Sequence, residues 1–359
     1  MKKDKIRVAV LFGGKSAEHE VSIQSAKNVF QSLDKNKYEP ILIGIDKHGV
    51  WHQLPETYLL SSAFMQKKSL MDGDEVSLIS GRNSLVSSSE NKSASIDVVF
   101  PVLHGTFGED GTIQGLLKLA NIPFVGSGVL GSAIGMDKDV MKRLLRDAGL
   151  PIAKFLVFRK GENVSFNEIK SELGLPFFVK PANLGSSVGI AKVKGQKEFE
   201  KAIIEAFSYD TKIIIEQYVN CQEIECSVLG NERPIASTPG EIIPKNEFYD
   251  YSAKYEENGM QLKIPAELSR EKIKEVQDVA IKVFSVLELE GMARIDFFLD
   301  KDTGELYVNE ANTIPGFTNM SVYPKLWEAS GISNQKLVDK LITLAIESHQ
   351  KQQHLKTSL

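Results

Sequence analysis

A predicted β-hairpin near the C-terminal end constrains the fold more than any other segment. Residues 291–318 read GMARIDFFLDKDTGELYVNEANTIPGFT, with two apolar runs on either side of a turn-like DKDTG. Because side chains alternate faces along a strand, Arg294, Asp296 and Phe298 share one face. On the returning strand we expect Leu306, Val308 and Glu310 to share a face.

The hairpin register predicts a cluster of oxygen ligands beside one arginine. Centring the hairpin on the turn puts Asp296 opposite Glu310 and Arg294 opposite Asn312. Two carboxylates that face each other across a ladder repel, and a divalent cation such as Mg²⁺ relieves that repulsion. The arginine suits an oxyanion, and Gly316 lets backbone N–H groups approach a ligand. A solvated acidic hairpin with an incidental arginine is the alternative interpretation.

Composition and charge exclude several classes of protein. The chain has 359 residues, of which 42% are hydrophobic and 25% charged, so we expect two or three globular domains. The net charge of -4 argues against a general nucleic-acid binder. No apolar run approaches the roughly 20 residues that cross a bilayer, and the N-terminus reads as a first strand rather than a signal peptide. With two cysteines, Cys221 and Cys226, and no disulfide framework, a reducing cytoplasm is expected.

The first third of the chain predicts a mononucleotide-type βαβ unit. An apolar run at 6–12 ends in two glycines, and a helical pattern and a second strand follow. The helix start, with Glu18 and Glu20, is a candidate polar ligand site, although these acidic residues also complement the helix dipole without a ligand. His104 ends another buried-type strand, where α/β folds bind ligands, and a structural histidine is the equal alternative.

The middle of the chain predicts a phosphate-binding hairpin. In PFFVKPANLGSSVGIAKV a strand ends at Lys180, and a loop with Gly185, Ser186 and Ser187 leads to the next strand. Such a loop offers N–H and hydroxyl donors to phosphates and is able to close as a lid, and Lys180 adds a point charge. An ordinary hairpin with a surface lysine is the alternative. The serine-rich residues 61–95 are expected to form a surface insertion without chemistry.

Further along, three segments carry weaker signals. The edge-like segment from Glu216 to Val219 is suited to hydrogen-bonding an adenine through its main chain, and Glu223 to binding a ribose. Acidic residues after strands are usually just exposed, which is the alternative for both. Residues 245–258, KNEFYDYSAKYEEN, predict a long functional loop. We expect the polar tail from Ser348 to be frayed.

Together these motifs resemble the ATP-grasp fold and, within it, the D-alanine–D-alanine ligase family. The diagnostic segments are GGKSAEHEVS, LHGTFGEDGT, GSGVLGSAIGMDK, FYDYSAKY and NEANTIPGFT, in the order found in the family. The resemblance implies an α/β (α+β) fold in a three-domain ATP-grasp architecture with an N-terminal Rossmann-like domain. We expect an N-terminal substrate domain at 1–128, a central subdomain with the lid at 129–217, and a C-terminal subdomain with the metal site at 218–359.

The resemblance also implies site residues. The implied catalytic residues are Glu18, Ser186, Tyr255, Arg294, Gly316 and Ser321. The implied substrate-binding residues are Glu18, His104, Ser321 and Val322. The implied nucleotide-binding residues are Lys138, Lys180, Ser187, Glu216, Val219, Glu223 and Lys254. The implied metal ligands are Asp296, Glu310 and Asn312, for two Mg²⁺ ions with Mn²⁺ as a substitute.

The activity that the resemblance implies is the ATP-dependent joining of two D-alanine molecules through an acyl phosphate, for peptidoglycan precursor synthesis. ATP and D-alanine are the expected partners, without nucleic acid or membrane, in a homodimer. Because Tyr255 is intact, we expect a dipeptide product and little use of D-lactate at neutral pH. The alternatives are an ATP-grasp ligase with other substrates, and a catalytically silent nucleotide-binding protein. A periplasmic binding protein is disfavoured because no signal peptide is recognised.

Overall fold

The computed structural model describes residues 5–60, 70–79, 84–87, 93–185, 188–244 and 260–356. The strands of this described part are β1 (Ile6–Gly13), β2 (Tyr38–Ile45), β3 (Trp51–Leu54), β4 (Asp74–Ile79), β5 (Ser84–Ser87), β6 (Ser93–Ser95), β7 (Val98–Pro101), β8 (Phe155–Arg159), β9 (Phe177–Pro181), β10 (Ala191–Val193), β11 (Lys212–Gln217), β12 (Cys221–Gly230), β13 (Ile235–Ala236), β14 (Gly240–Pro244), β15 (Met260–Lys263), β16 (Gly291–Asp300) and β17 (Leu306–Asn312). Its helices are α1 (His19–Ser32), α2 (Thr57–Leu60), α3 (Thr112–Leu119), α4 (Val129–Met136), α5 (Lys138–Asp147), α6 (Phe166–Leu173), α7 (Gln196–Tyr209), α8 (Arg270–Val286), α9 (Val322–Ala329) and α10 (Asn334–Gln353).

The first sheet contains the predicted βαβ unit. Its strand order is β6-β5-β4-β3-β2-β1-β7, and β1 pairs in parallel with both β2 and β7. The β4–β5 hairpin lies in the expected insertion and extends this sheet through β3. Beyond β7, Phe124 joins Val99 through an isolated parallel bridge. The carboxyl ends of β1 and β7 therefore lie side by side, where a ligand site is expected.

The second sheet is antiparallel, with the order β10-β9-β11-β8. Helices α6 and α7 cover one face through a cluster that includes Ile169, Phe199 and Ile213. We predicted that the segment beginning at Glu216 lies at the edge of a sheet. This prediction is wrong at Glu216, which pairs with Phe155 on one side and with Phe178 on the other. The sheet thus presents the opposite face of β9 and β11 to the rest of the molecule.

The third sheet has the order β15-β14-β12-β16-β17, with β13 beside β12, and all its pairs are antiparallel. Ser269 caps the start of α8 by accepting a hydrogen bond from the Lys272 backbone N–H at 3.2 Å. The apolar stripe of α8, including Val276 and Phe284, packs on the face of β12 and β16 that carries Ile295. The polar residues of these strands are left on the other face.

Helix α10 closes the structure and packs against the first sheet. The tail that we expected to fray at Ser348 is helical as far as Gln353, so that expectation is wrong. The Ser348 hydroxyl donates to the Glu290 carboxylate at 2.8 Å, and the His349 ring lies 3.1 Å from the Asn121 carbonyl oxygen. None of the helices in the described part is long and apolar enough to cross a membrane.

Candidate active site

The β16–β17 hairpin has the predicted register at its functional end. Asp296 lies opposite Glu310, and Arg294 lies opposite Asn312. The Asp300 carboxylate fixes the turn, because it accepts hydrogen bonds from the backbone N–H groups of Asp302 and Thr303, at 2.8 and 2.9 Å. The turn sets the register of the neighbouring pairs, from Leu299 with Leu306 to Phe297 with Val308.

Because of a β-bulge in β17, its side chains do not alternate between the two faces as predicted. Phe297 pairs with Val308 while Asp296 pairs with Glu310, so Asn309 is an extra residue in β17. The expectation that Leu306, Val308 and Glu310 share a face is therefore wrong. Leu306 and Val308 lie in the core against α8. The bulge turns Glu310 to the opposite face, beside Asp296.

Arg294 is the hub of a charge cluster on this face. Its Nε lies 2.7 Å from Asp296 Oδ1, its Nη2 lies 2.7 Å from Asp296 Oδ2, and Nε also lies 2.9 Å from Glu225 Oε2. The Asn312 amide donates to Asp296 Oδ2 at 3.0 Å. Glu225 was not predicted, although its spacing of two residues from Glu223 puts both on one face of β12.

The carboxylates form a row across three strands. Glu225 is opposite Asp296, which is opposite Glu310, and the first two are 4% and 8% exposed. Within the described ranges, no three His, Cys, Asp or Glu side chains form a ready-made metal site. Mg²⁺ takes one or two carboxylates together with substrate phosphates. Two facing carboxylates and the nearby Asn312 amide fit that mode of binding.

A second charge cluster lies on β9, β11 and α5. The Glu216 carboxylate forms ion pairs with Lys180 and with Lys142, which is 2.5 Å away. Burial raises the pKa of Glu216, but the charges of the two lysines outweigh it and lower the pKa to about 2. Lys142 was not predicted. Its position four residues after Lys138, on the same face of α5, was the available signal.

The second and third sheets face each other across a cleft. The Lys180 Nζ lies 5.6 Å from the ring centroid of Phe178 in its own sheet and 6.0 Å from that of Phe298 in the third sheet. Glu223 lies opposite Phe298 in the strand register and is half-buried. The cleft therefore brings Lys180, Glu216 and Glu223 to the acidic hairpin, while Val219 is half-buried beyond the end of β11.

Lys138 and the loop after β9 lie beside this cleft. The Lys138 Nζ donates to the Leu184 carbonyl oxygen at 2.6 Å. This contact places a cation at the base of the glycine-serine loop. Four predicted site residues lie outside the described residues: Ser186, Ser187, Lys254 and Tyr255. The long loop predicted at 245–258 lies outside them as well.

Glu18 lies where the first sheet meets the glycine-serine loop. It is buried at the start of α1. A methyl group added at Gly105 would lie 3.2 Å from Glu18 Oε2, and one added at Gly185 would lie 3.6 Å from it. The carboxylate thus adjoins both the segment after β7 and the base of the predicted lid.

His104 and Glu109 connect the first sheet to the loop after β17. The His104 Nδ1 lies 3.0 Å from the Ile314 carbonyl oxygen, and burial lowers the pKa of this histidine. The Glu109 carboxylate accepts hydrogen bonds from the Gly105 N–H at 2.7 Å and the Ile314 N–H at 3.2 Å. Burial, and secondly the charge of Glu18, raise the pKa of Glu109 to about 8. Glu109 was not predicted as a site residue.

Gly316 and Ser321 lie against each other. A methyl group at Gly316 would lie 2.7 Å from the Ser321 Oγ, so a side chain at this position requires movement. Ser321 Oγ also accepts a hydrogen bond from the Thr318 N–H at 2.8 Å. The Val322 side chain is buried with Leu326, which leaves its backbone as the part suited to a ligand.

These features define the class of protein. Two antiparallel sheets that enclose a cleft, with lysines on one sheet and an acidic hairpin on the other, are those of an ATP-grasp ligase. A family model for the D-ala D-ala ligase N-terminus matches residues 7–127, and one for the D-ala D-ala ligase C-terminus matches residues 144–343. The chain belongs to the D-alanine–D-alanine ligase family.

Relatives match the chain over almost its whole length. The D-alanine–D-alanine ligase of Oceanobacillus iheyensis is 51% identical, over 99% of both chains. The solved D-alanine-D-alanine ligase from Coxiella burnetii is 40% identical with a TM-score of 0.88, over 98% of this chain and 97% of the other. The VanG D-Ala:D-Ser ligase from Enterococcus faecalis is 37% identical with a TM-score of 0.85, over 95% of this chain and 100% of the other.

Proposed function

We propose that this protein joins two D-alanine molecules into D-alanyl-D-alanine at the expense of ATP, for peptidoglycan precursor synthesis. The observation that carries the proposal is the convergence of the Arg294–Asp296–Glu310 cluster with the Lys180–Glu216 cluster at one cleft. A carboxylate does not acylate an amine at neutral pH without activation. A site with anion-binding lysines and an acidic hairpin suits activation by phosphoryl transfer.

In the first step the carboxylate oxygen of one D-alanine bonds to the γ-phosphorus of ATP, and the bond from that phosphorus to the β,γ-bridging oxygen breaks. ADP and an acyl phosphate result. Because both reactants are anions, cationic groups must offset their repulsion. Lys138, Lys180 and Lys254 fill this role in the proposal, with donors from Ser187. Glu18 binds the ammonium group of this D-alanine, with His104 beside it.

The metal ligands in the proposal are Asp296, Glu310 and Asn312, for two Mg²⁺ ions with Mn²⁺ as a substitute. When bound, the metal neutralises phosphate charge and orients the transferring group. Arg294 holds Asp296 in place from the side that carries Glu225. The hairpin is thereby oriented before any ion binds.

The nucleotide base and sugar bind next to the second sheet in the proposal. Glu216 and the main chain at Val219 contact the adenine, and Glu223 contacts the ribose. The low pKa of Glu216 keeps it ionised and accepting hydrogen bonds at physiological pH.

In the second step the neutral amine of another D-alanine bonds to the acyl carbon. The bond from that carbon to the phosphate oxygen breaks, phosphate leaves, and the amine loses a proton. The oxyanion that develops requires donors, which the Arg294 guanidinium and the Gly316 N–H supply. Losing one such donor typically costs about 3–4 kcal/mol in the barrier. Ser321 and the Val322 backbone N–H, at the start of α9, bind the second carboxylate.

Water must be kept from the acyl phosphate during both steps. Ser186 in the glycine-serine loop links Glu18 to Tyr255 of the long loop in the proposal, and this link closes the site. We also propose a homodimer in the cytoplasm, without nucleic-acid or membrane partners. Cys221 and Cys226 are both free, which suits a reducing compartment.

The test is product analysis with ATP, Mg²⁺ and candidate second substrates. D-alanine alone is expected to give ADP and the mass of D-alanyl-D-alanine, whereas L-alanine gives neither. D-serine is a second candidate, because one structural neighbour is a D-Ala:D-Ser ligase. A mixed product that exceeds the D-alanine dipeptide would favour that activity. Stabilisation by ATP without turnover would favour a silent nucleotide-binding protein.

A further inference from the structure

The loop at 313–318, here called the Pro-Gly loop, is held near its N-terminal end by residues of the segment that follows β7. The Ile314 N–H donates to the Glu109 carboxylate at 3.2 Å, and the Ile314 carbonyl oxygen lies 3.0 Å from His104 Nδ1. Ile314 is buried, so hydrogen bonds to its backbone are retained rather than exchanged with water.

Helix α1 holds the other side of the Pro-Gly loop. The Phe317 N–H donates to the Ser25 hydroxyl at 3.1 Å, and the Asn28 amide donates to the Phe317 carbonyl oxygen at 2.7 Å. Ser25 and Asn28 are three residues apart, so they lie on the same face of the helix. Ser25 also lies 3.4 Å from His104 Nε2, which joins the two sides.

These four contacts bracket the Gly316 amide. Both backbone groups of Ile314 and both of Phe317 have side-chain partners, and only two residues lie between them. Pro315 has no N–H, so Gly316 carries the only backbone N–H in this interval. An amide fixed at both flanks needs no rearrangement when charge develops on a nearby oxygen.

We propose that Ser25 and Asn28 are positioning residues for the acyl-transfer step, because they fix the Gly316 N–H where the oxyanion forms. This inference rests on the proposed function. The two side chains contact the Pro-Gly loop and not the lysine cluster that binds phosphates in that function. Their loss therefore affects acyl transfer and leaves the phosphate-binding lysines in place.

The proposal predicts which competing reaction appears. When the amine attacks slowly, a water oxygen bonds to the phosphorus of the acyl phosphate instead, and the bond from that phosphorus to the acyl oxygen breaks, so no oxyanion develops at the acyl carbon. The products are D-alanine and inorganic phosphate, with ADP already released. Each such event consumes one ATP without making dipeptide. A variant with a displaced Gly316 amide therefore uncouples ATP use from dipeptide formation.

The experiment measures ADP, phosphate and dipeptide together in the full-length Asn28→Ala variant. We expect dipeptide formation to fall roughly tenfold to a hundredfold, as for other small displacements of a catalytic group. ADP release falls much less, and the KM for ATP is unchanged. The control is Asn231→Ala, away from the cleft, which removes an asparagine amide that donates to the Leu344 carbonyl oxygen at 3.1 Å and accepts from the Gly291 N–H at 3.1 Å. That variant is expected to keep ADP equal to dipeptide.

A second variant, Ser25→Ala, removes one oxygen and tests the Phe317 N–H contact if Asn28→Ala does not fold. It is expected to uncouple in the same way. Equal ADP and dipeptide in a folded Ser25→Ala or Asn28→Ala protein, whatever the rate, would overturn the proposal. Failure of the wild-type protein to make any dipeptide would instead overturn the proposed function, so the two failures are distinguishable.

Discussion

Glu216 and Lys142 form an ion pair with 2.5 Å between Oε1 and Nζ, and each side chain is only 1% exposed. A buried charge that loses its partner is costly, typically about 3–5 kcal/mol. We therefore expect Lys142→Met to lower the free energy of unfolding by roughly that amount, even though Glu216 keeps Lys180. Urea unfolding measures the change. The control is Lys351→Met, which breaks the exposed pair with Glu232 and is expected to leave the midpoint unchanged. Equal midpoints for the two variants would contradict the structural role of Lys142.

Glu310→Gln tests the metal-binding hairpin. The substitution keeps the shape of the side chain and removes a charge that the proposal uses for Mg²⁺. We expect turnover to fall by about a hundredfold or more, since several kcal/mol of charge stabilisation is lost. The measurement is ADP release at saturating D-alanine, with circular dichroism as the check on folding. Glu305→Gln, on the exposed turn of the same hairpin, is the control. Near-normal activity of Glu310→Gln would show that the hairpin holds no catalytic metal.

Deletion of Asn309 tests the bulge. Without this extra residue Glu310 directly follows Val308, so regular alternation keeps Glu310 on the face opposite Val308 and beside Asp296. We expect the deletion variant to remain active, because the ladder then pairs Asp296 with Glu310 without a bulge. Asn309→Ala keeps the residue count and is expected to stay active. A folded but inactive deletion variant would show that the bulge itself is needed to place Glu310 beside Asp296.

Much of the hairpin was predictable because its determinants are local. The DKDTG turn locates the hairpin, and alternation assigns the face of Arg294 and Asp296, whereas the pairing of Asp296 with Glu310 also depends on the bulge. The bulge at Asn309 was not predictable, because nothing in VNEAN distinguishes a bulged strand from a regular one. Glu225 lies two residues after the predicted site residue Glu223, and Lys142 lies four residues after Lys138. Strand and helix periodicity could therefore have identified both residues.

The contacts of the Pro-Gly loop could not be predicted from local sequence patterns. Ser25 and Phe317 are separated by 292 positions along the chain, and their hydrogen bond exists only because α1 packs beside the end of β17. A serine on the buried side of a helix gives no signal of its own. The packing of the first sheet against the third decides its partner, and packing of that range does not follow from periodicity.

Glu109 gives the protein a specific pH dependence. Its carboxyl has a pKa near 4.5 when exposed and about 8 in the folded protein, so between these values the unfolded chain ionises it while the fold keeps it protonated. The unfolded state then binds fewer protons, and stability falls as pH rises through this window. We expect the stability of the Glu109→Gln variant to depend less on pH than that of the wild type between about pH 4.5 and 8. Melting temperatures of both proteins across this range measure the difference. Parallel curves would contradict the raised pKa.

In the proposed reaction, a carboxylate oxygen of D-alanine attacks the γ-phosphorus before any peptide bond forms. The most direct test uses D-alanine with ¹⁸O in its carboxylate and mass analysis of the inorganic phosphate. When the amine displaces phosphate from the acyl carbon, the bridging oxygen leaves with the phosphorus. We therefore expect each phosphate released to carry one labelled oxygen from the substrate. Unlabelled phosphate, released together with dipeptide, would contradict the acyl phosphate and the roles assigned to the cleft.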